Sequence, residues 1–211
     1  MIERLIANPL VLHIRARRIP LFLAGLVVTA AASWAFAEWL MARPRSPGPL
    51  DRLPVAVIAP LLAAVLICDG LGHLDEELER STAIRWRLMR LLHLTTVLAV
   101  SATVMALIGL TEPRVYGAFE FARNTAGFLG VTALGTAILG ARLGWVPAVM
   151  YGVAVIAMVP RPVEDAATWW TWPAQPWAIT SAAWAAAVSL ILGGGAYALN
   201  GARRSRDVVE P

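Results

Sequence analysis

The sequence predicts an all-α, polytopic membrane protein with six transmembrane helices, both termini cytoplasmic, and an N-terminal amphipathic helix on the membrane surface. Three observations carry that expectation. The chain of 211 residues is 58% hydrophobic and only 15% charged, with a mean hydropathy of +0.65. Soluble domains are nearer 45–50% apolar and about 25% charged. The apolar residues also fall in long blocks rather than at amphipathic spacing. Six spans of about 20 residues leave roughly 90 for loops and tails, too few for a separate soluble domain of ordinary size.

Residues 1–19 are too interrupted to span. Ile2, Leu5, Ile6, Leu10, Leu12 and Ile14 share the segment with Arg4, Arg15, Arg17 and Arg18, so it reads as an interfacial stretch broken near Pro9. Its basic cluster comes late and a full-length apolar block follows, which argues against a cleaved signal peptide. The expected spans are 20–41, 53–73, 90–110, 121–141, 144–160 and 177–199, with 200–211 as a cytoplasmic tail, all within one transmembrane domain. Glu120, Arg123 and Asn124 crowd the start of the fourth, and the fifth is short.

Orientation follows from arginine. All 18 basic residues are arginines. With the N-terminus inside, 12 fall on the inner side (Arg4, Arg15, Arg17, Arg18, Arg80, Arg85, Arg87, Arg90, Arg142, Arg203, Arg204, Arg206) and 6 on the outer (Arg43, Arg45, Arg52, Arg114, Arg123, Arg161). That is the asymmetry of the positive-inside rule. Trp39, Trp169, Trp170, Trp172 and Trp177 gather at the expected outer interface. The arginines therefore read as membrane orientation rather than as a nucleic-acid surface.

Without lysine, the chain has no phosphate-binding loop of the Walker type and no Schiff-base lysine. If ATP is used, another chain hydrolyses it. The single cysteine, Cys68, excludes an intrachain disulfide and a cysteine-rich metal site. No Gly-x-Ser-x-Gly turn is present for an intramembrane serine nucleophile. His13, His73 and His93 are scattered. One metal-enzyme alternative remains: Asp69, His73 and Glu76 or Glu77 recur at three- or four-residue spacing, and such a set binds divalent ions. Gly70 and Gly72 weaken the helix that would align them.

The middle of each span lacks Asp, Glu, Arg and Lys, unlike proton-coupled pumps. It carries hydroxyls instead. Thr29, Ser33, Thr96, Thr132 and Thr136 read either as packing and back-bonding groups or as the lining of a substrate path. Small residues at four-residue spacing, Ala126–Gly130 and Thr132–Thr136–Gly140, mark the fourth span for close packing, within the bundle or across a dimer seam.

Between the second and third spans, 75–90 begins acidic and ends basic. Ser81 or Thr82 suits a helix cap there, with Ile84, Leu88 and Leu91 on one face of the helix that follows. The plainer reading is a solvated loop with snorkelling arginines. Glu79-Arg80-Ser81-Thr82-Ala83 followed by Ile84-Arg85-Trp86-Arg87-Leu88 resembles the coupling-helix region of ABC-type exporter permeases. Asn8-Pro9-Leu10-Val11-Leu12 and the basic run to Arg18 resemble that family's elbow helix. Ser81 stands where the family usually has glycine.

The resemblance implies a bacterial inner-membrane permease subunit exporting an amphiphilic or lipid-like small molecule or peptide. It implies Glu79, Arg80, Ser81, Thr82, Arg85 and Arg87 as the contact with a separate ABC ATPase subunit. ATP and Mg would be held on that partner, with no cofactor in this chain. A second permease chain, identical or not, would complete the pore. The alternative class is a non-transporting anchor, immunity or assembly subunit.

Overall fold

The computed structural model describes residues 18–43, 49–72, 86–111, 117–158 and 169–203. These residues form an all-helical bundle. The helices are α1 (Ile19–Met41), α2 (Pro49–Val65), α3 (Trp86–Thr111), α4 (Ala118–Leu139), α5 (Val146–Met158) and α6 (Thr180–Asn200). Two short 3₁₀ segments, Cys68–Leu71 and Trp169–Ala174, complete the order. The N-terminal surface segment 1–17 and the tail beyond 203 lie outside the described residues, as do Glu79, Arg80, Ser81, Thr82, Arg85, His73 and Glu77.

Among the described residues, three helices, α1, α3 and α6, are long and apolar enough to cross a membrane. At 1.5 Å per residue, the 26 residues of α3 extend about 39 Å, more than a bilayer core of about 30 Å. The 13 residues of α5 reach only about 20 Å. The second expected span is shorter than the 53–73 block, because helix α2 ends at Val65 and the chain tightens into the 3₁₀ turn Cys68–Leu71. Pro54 and Pro60 lie inside α2, as membrane helices tolerate.

Helix α4, the one whose polar start sits least easily with a span, is the centre of the bundle. It packs on α2, α3, α5, α6 and both 3₁₀ segments, most extensively on α6. Phe121, Arg123, Asn124, Thr125, Phe128, Thr132 and Thr136 along it are all buried. By contrast α1 rests mainly on α2 and α3 and exposes Leu21, Val27 and Val28.

The small residues of α4 are used inside the chain. A Cβ at Gly193 on α6 would lie 1.8 Å from the Gly130 carbonyl oxygen, and one at Gly130 would lie 2.3 Å from that of Ser189. The two backbones touch, which only glycine at both positions permits. A Cβ at Gly127 would meet the Trp172 ring at 2.3 Å. With α2, α3, α5 and α6 around it, α4 has its close-packing partners within this chain.

The ends of the bundle differ. At one end lie Gly109 against Ala118, Trp177 against Glu120, and Arg43 over the Trp39 ring at 3.7 Å. At the other, Cys68 Sγ donates to the Ala141 carbonyl at 3.0 Å and Tyr197 Oη to that of Leu71 at 3.0 Å. The Arg203 N–H bonds the Thr136 carbonyl at 3.0 Å. The Cys68 end also carries Arg18, Arg87, Arg90, Arg142 and Arg203 among the described residues. Arg18 is the one non-glycine there with positive φ (51°), a conformation that costs about 1–2 kcal/mol.

The glycine run 193–195 separates packing from propensity. Gly193→Val is expected to destabilise the bundle by at least about 3 kcal/mol, because helix backbones must part. A Cβ at Gly195 meets nothing within 4 Å. Gly195→Ala is therefore expected to be neutral or stabilising by about 0.5–1 kcal/mol. Thermal unfolding of the purified variants in one detergent checks both.

Candidate functional site

A polar knot sits at the start of α4, about 8 Å into the helix. Arg123 is 6% exposed and Asn124 fully buried. The guanidinium donates to three backbone carbonyls: from Nη2 to Trp172 at 2.9 Å and Gln175 at 2.6 Å, and from Nη1 to Pro176 at 3.3 Å. Its Nε donates to Asn124 Oδ1 at 3.0 Å. Asn124 Nδ2 in turn donates to the carbonyls of Pro173 at 2.7 Å and Ala56 at 2.8 Å. Glu120, one turn earlier, accepts from the backbone N–H of Gly117 at 3.1 Å and of Trp177 at 2.9 Å.

The acceptors explain the donors. The 3₁₀ segment Trp169–Ala174 and the two residues after it are rich in tryptophan and proline, and the segment packs mainly on α6, with α5, α2 and α4 also against it. Pro173 and Pro176 interrupt any regular helix, and the backbone bonds that remain are isolated turns, from the Gln175 N–H to the Trp172 carbonyl at 3.3 Å and from the Ile179 N–H to the Pro176 carbonyl at 3.2 Å. Irregular backbone at membrane depth is tolerated only where protein groups satisfy it. Arg123 and Asn124 supply donors here, and that is how an apolar helix can begin with so polar a pair.

Below the knot the aromatic side chains pack. Trp172 lies 5.2 Å from Phe128 and 5.9 Å from Tyr151, centroid to centroid. Tyr151 Oη donates to the Trp170 carbonyl. On the outside of this cluster is a cleft of about 760 Å³ between α4, α5, α6 and the 3₁₀ turn. Tyr151, Trp169, Trp170, Trp172 and Trp184 form much of its wall, with Ser181 and Ser189 as its hydroxyls. No charged residue lines it among the described residues. Such a surface binds by apolar and stacking contact, and its tryptophan faces also favour a quaternary or primary ammonium.

The five hydroxyls expected along a substrate path are not brought together. Thr29 and Ser33 line a groove between α1 and α2, and their hydroxyls bond back to the carbonyls of Gly25 at 2.9 Å and Thr29 at 2.7 Å. Thr96 is exposed on α3 and bonds the Leu92 carbonyl at 2.7 Å. Thr132 and Thr136 are buried on α4, where Thr136 Oγ1 donates to the Thr132 carbonyl at 2.9 Å. Of the residues expected to contact an ATPase subunit, Arg87 alone is described, exposed in the first turn of α3. No group of three or more His, Cys, Asp or Glu is placed to hold a metal among the described residues.

The sequence places Arg123 at the outer start of the fourth expected span and gives Asn124 no role beyond crowding it. The available signal was their adjacency at the head of a small-residue apolar block, on the same expected outer side as the proline- and tryptophan-rich stretch before the sixth span. No family model, curated protein or solved structure matches this chain. The site therefore rests on its own geometry.

Arg123→Ala is expected to cost about 2–4 kcal/mol, since buried carbonyls lose their donors. Lysine, a single ammonium without the planar fork, should restore less than half of it. The unfolding midpoint in detergent should fall by about 5–10 °C for Arg123→Ala, while Arg43→Ala at the same end leaves it within about 2 °C.

Proposed function

We propose that the chain is the permease subunit of an ABC-type exporter in the inner membrane of a bacterium, moving an amphiphilic or lipid-like molecule. It crosses the membrane six times with both termini inside, the Arg123 end outward and the Cys68 end toward the cytoplasm. The arginines fit that orientation, since Arg18, Arg87, Arg90, Arg142 and Arg203 share the Cys68 end. Helices α2, α4 and α5 complete the six crossings, with residues 169–176 filling the depth that the short α5 leaves.

One observation carries the reading. Helix α3 (Trp86–Thr111) includes Trp86, Arg87 and Leu88 of the segment that resembles a coupling helix, and packs along α4, which in turn packs on α6. The α4–α6 pair supplies a wall of the aromatic cleft. A displacement applied at Arg87 by a closing ATPase dimer would pass along α3 into that wall. Helices transmit such a push because their packed interiors yield little. The lack of lysine assigns nucleotide chemistry to the partner, which binds ATP and Mg. A second permease chain, identical or not, faces the cleft, and cargo moves along the seam between the two.

The uncharged, aromatic lining suits a cargo with an apolar body and a small polar or cationic head. Export of an ion or a sugar would call for charged or amide groups at depth.

The test is co-purification of the tagged full chain in mild detergent from its native membrane. An ATPase subunit should be recovered in stoichiometric amount, and the Arg80→Glu/Arg85→Glu double variant should lose it while inserting normally. Trp184→Ala should keep the ATPase and lower substrate-stimulated hydrolysis at least threefold. Full insertion with no ATPase in either sample would favour the anchor or assembly reading.

A further inference from the structure

Tryptophans of membrane proteins ordinarily gather where the bilayer meets water. The rings at the aromatic cleft run deeper. Trp172 is seated over Gly127, and from Ala118 to Gly127 is about 13 Å along α4 at 1.5 Å per residue. Tyr151, whose hydroxyl donates to the Trp170 carbonyl, lies 6.1 Å from Phe128, the residue after Gly127. Trp172 packs on both of those rings and is buried, so the array is held rigidly.

Two further rings of the cleft stand open. Trp184 on α6 is 72% exposed and Trp169 is 63% exposed. The hydroxyl protons of Tyr151 and Ser189 are spent inside the protein, on the carbonyl of Trp170 and, at 2.9 Å, on that of Ala185. What these two groups have left to offer is oxygen lone pairs, beside indoles whose faces are electron-rich. The chain's basic residues are all arginines, and none lines the cleft among the described residues.

We propose that the cleft binds a monovalent organic ammonium carrying an apolar body, with the ammonium against the rings of Trp169, Trp170 and Trp184 and the body along Val131 and Val188. The inference rests on the reading of this cleft as the cargo site. Charge complementarity selects the occupant. An alkylated ammonium spreads its charge over its carbons, and its attraction to indole faces grows as water is excluded. An anion would meet lone pairs and ring faces of the wrong sign. A purely apolar cargo would be served as well by leucine. The choline head of a lipid would bring its phosphate along, and the described wall holds no arginine to receive it.

Equilibrium dialysis of the full chain in mild non-ionic detergent tests it, comparing octyltrimethylammonium with octyl sulfate, which has the same tail and the opposite charge. Binding is counted above that of protein-free micelles. The ammonium is expected to bind at least about tenfold more tightly than the sulfate. Biosynthetic replacement of tryptophan by its mono- and trifluorinated forms keeps the ring shape while draining its faces of electron density. Affinity should then fall about twofold and about tenfold in turn, a graded loss that apolar packing alone would not produce. Trp184→Leu should weaken binding at least about fivefold and Trp184→Phe less, while Trp39→Leu, outside the cleft, should change it less than about twofold. Trp184 is exposed, so its variants keep the fold if the fluorinated chain does not. Equal binding of the two probes, indifference to fluorination, or full displacement by excess phosphatidylcholine would overturn the assignment. An ATPase that co-purifies with a chain unable to bind the ammonium would end this ligand class and leave the permease reading standing.

Discussion

The bundle depends on the pairing of Arg123 and Asn124 with the carbonyls of residues 172–176. Without it, a proline-rich 3₁₀ turn has no means of entering the protein, and α4 has no means of starting with a guanidinium. Each of the two improbable elements satisfies the other. The guanidinium makes three bonds to backbone and one to Asn124, while Asn124 reaches both the turn and Ala56 on α2. One polar pair thus ties α2, α4 and the approach to α6 at a single level. Trp172 can then seat over Gly127, and the aromatic cleft forms on the outer side of that cluster.

The apolar architecture was legible because hydropathy blocks translate directly into helices. The boundaries of α1, α3 and α6 fall within a few residues of the expected ones for that reason. The second block misled because apolar composition continues through Leu66, Ile67 and Cys68 although the helix does not. Gly70 and Gly72 were read as weakening a helix there, and the chain turns into 3₁₀ geometry at Cys68. The fourth block was discounted at its start on charge. Whether a charge is tolerable at depth depends on what faces it, and the facing groups are some fifty residues away in sequence. That information is three-dimensional.

The same holds for the small-residue spacing and for the hydroxyls. Ala126 to Gly140 announced close approach without naming a partner; the partner is α6, through Gly193 and Ser189. The hydroxyls were legible as back-bonding groups. Thr29, Ser33, Thr96 and Thr136 each bond a carbonyl of the preceding turn, a local interaction that spacing alone anticipates. A path joining them would require a common face, and they lie on three helices with different surroundings. The aromatic cleft, by contrast, assembles residues from α5, the 3₁₀ turn and α6, and no linear pattern marks it.

The knot also constrains how the protein is made. Arg123 leaves the ribosome before its acceptor Trp172, which follows 49 residues later in the chain. At roughly 5–20 residues per second, that interval is on the order of seconds. During it the Arg123 guanidinium lacks the carbonyls of Trp172, Gln175 and Pro176, and Asn124 has that of Ala56 but not yet that of Pro173. The helix at the middle of the bundle is thus one that cannot complete its polar contacts when it is first made. Its settlement is deferred until the 3₁₀ turn emerges, so the centre of this protein is completed from its C-terminal third.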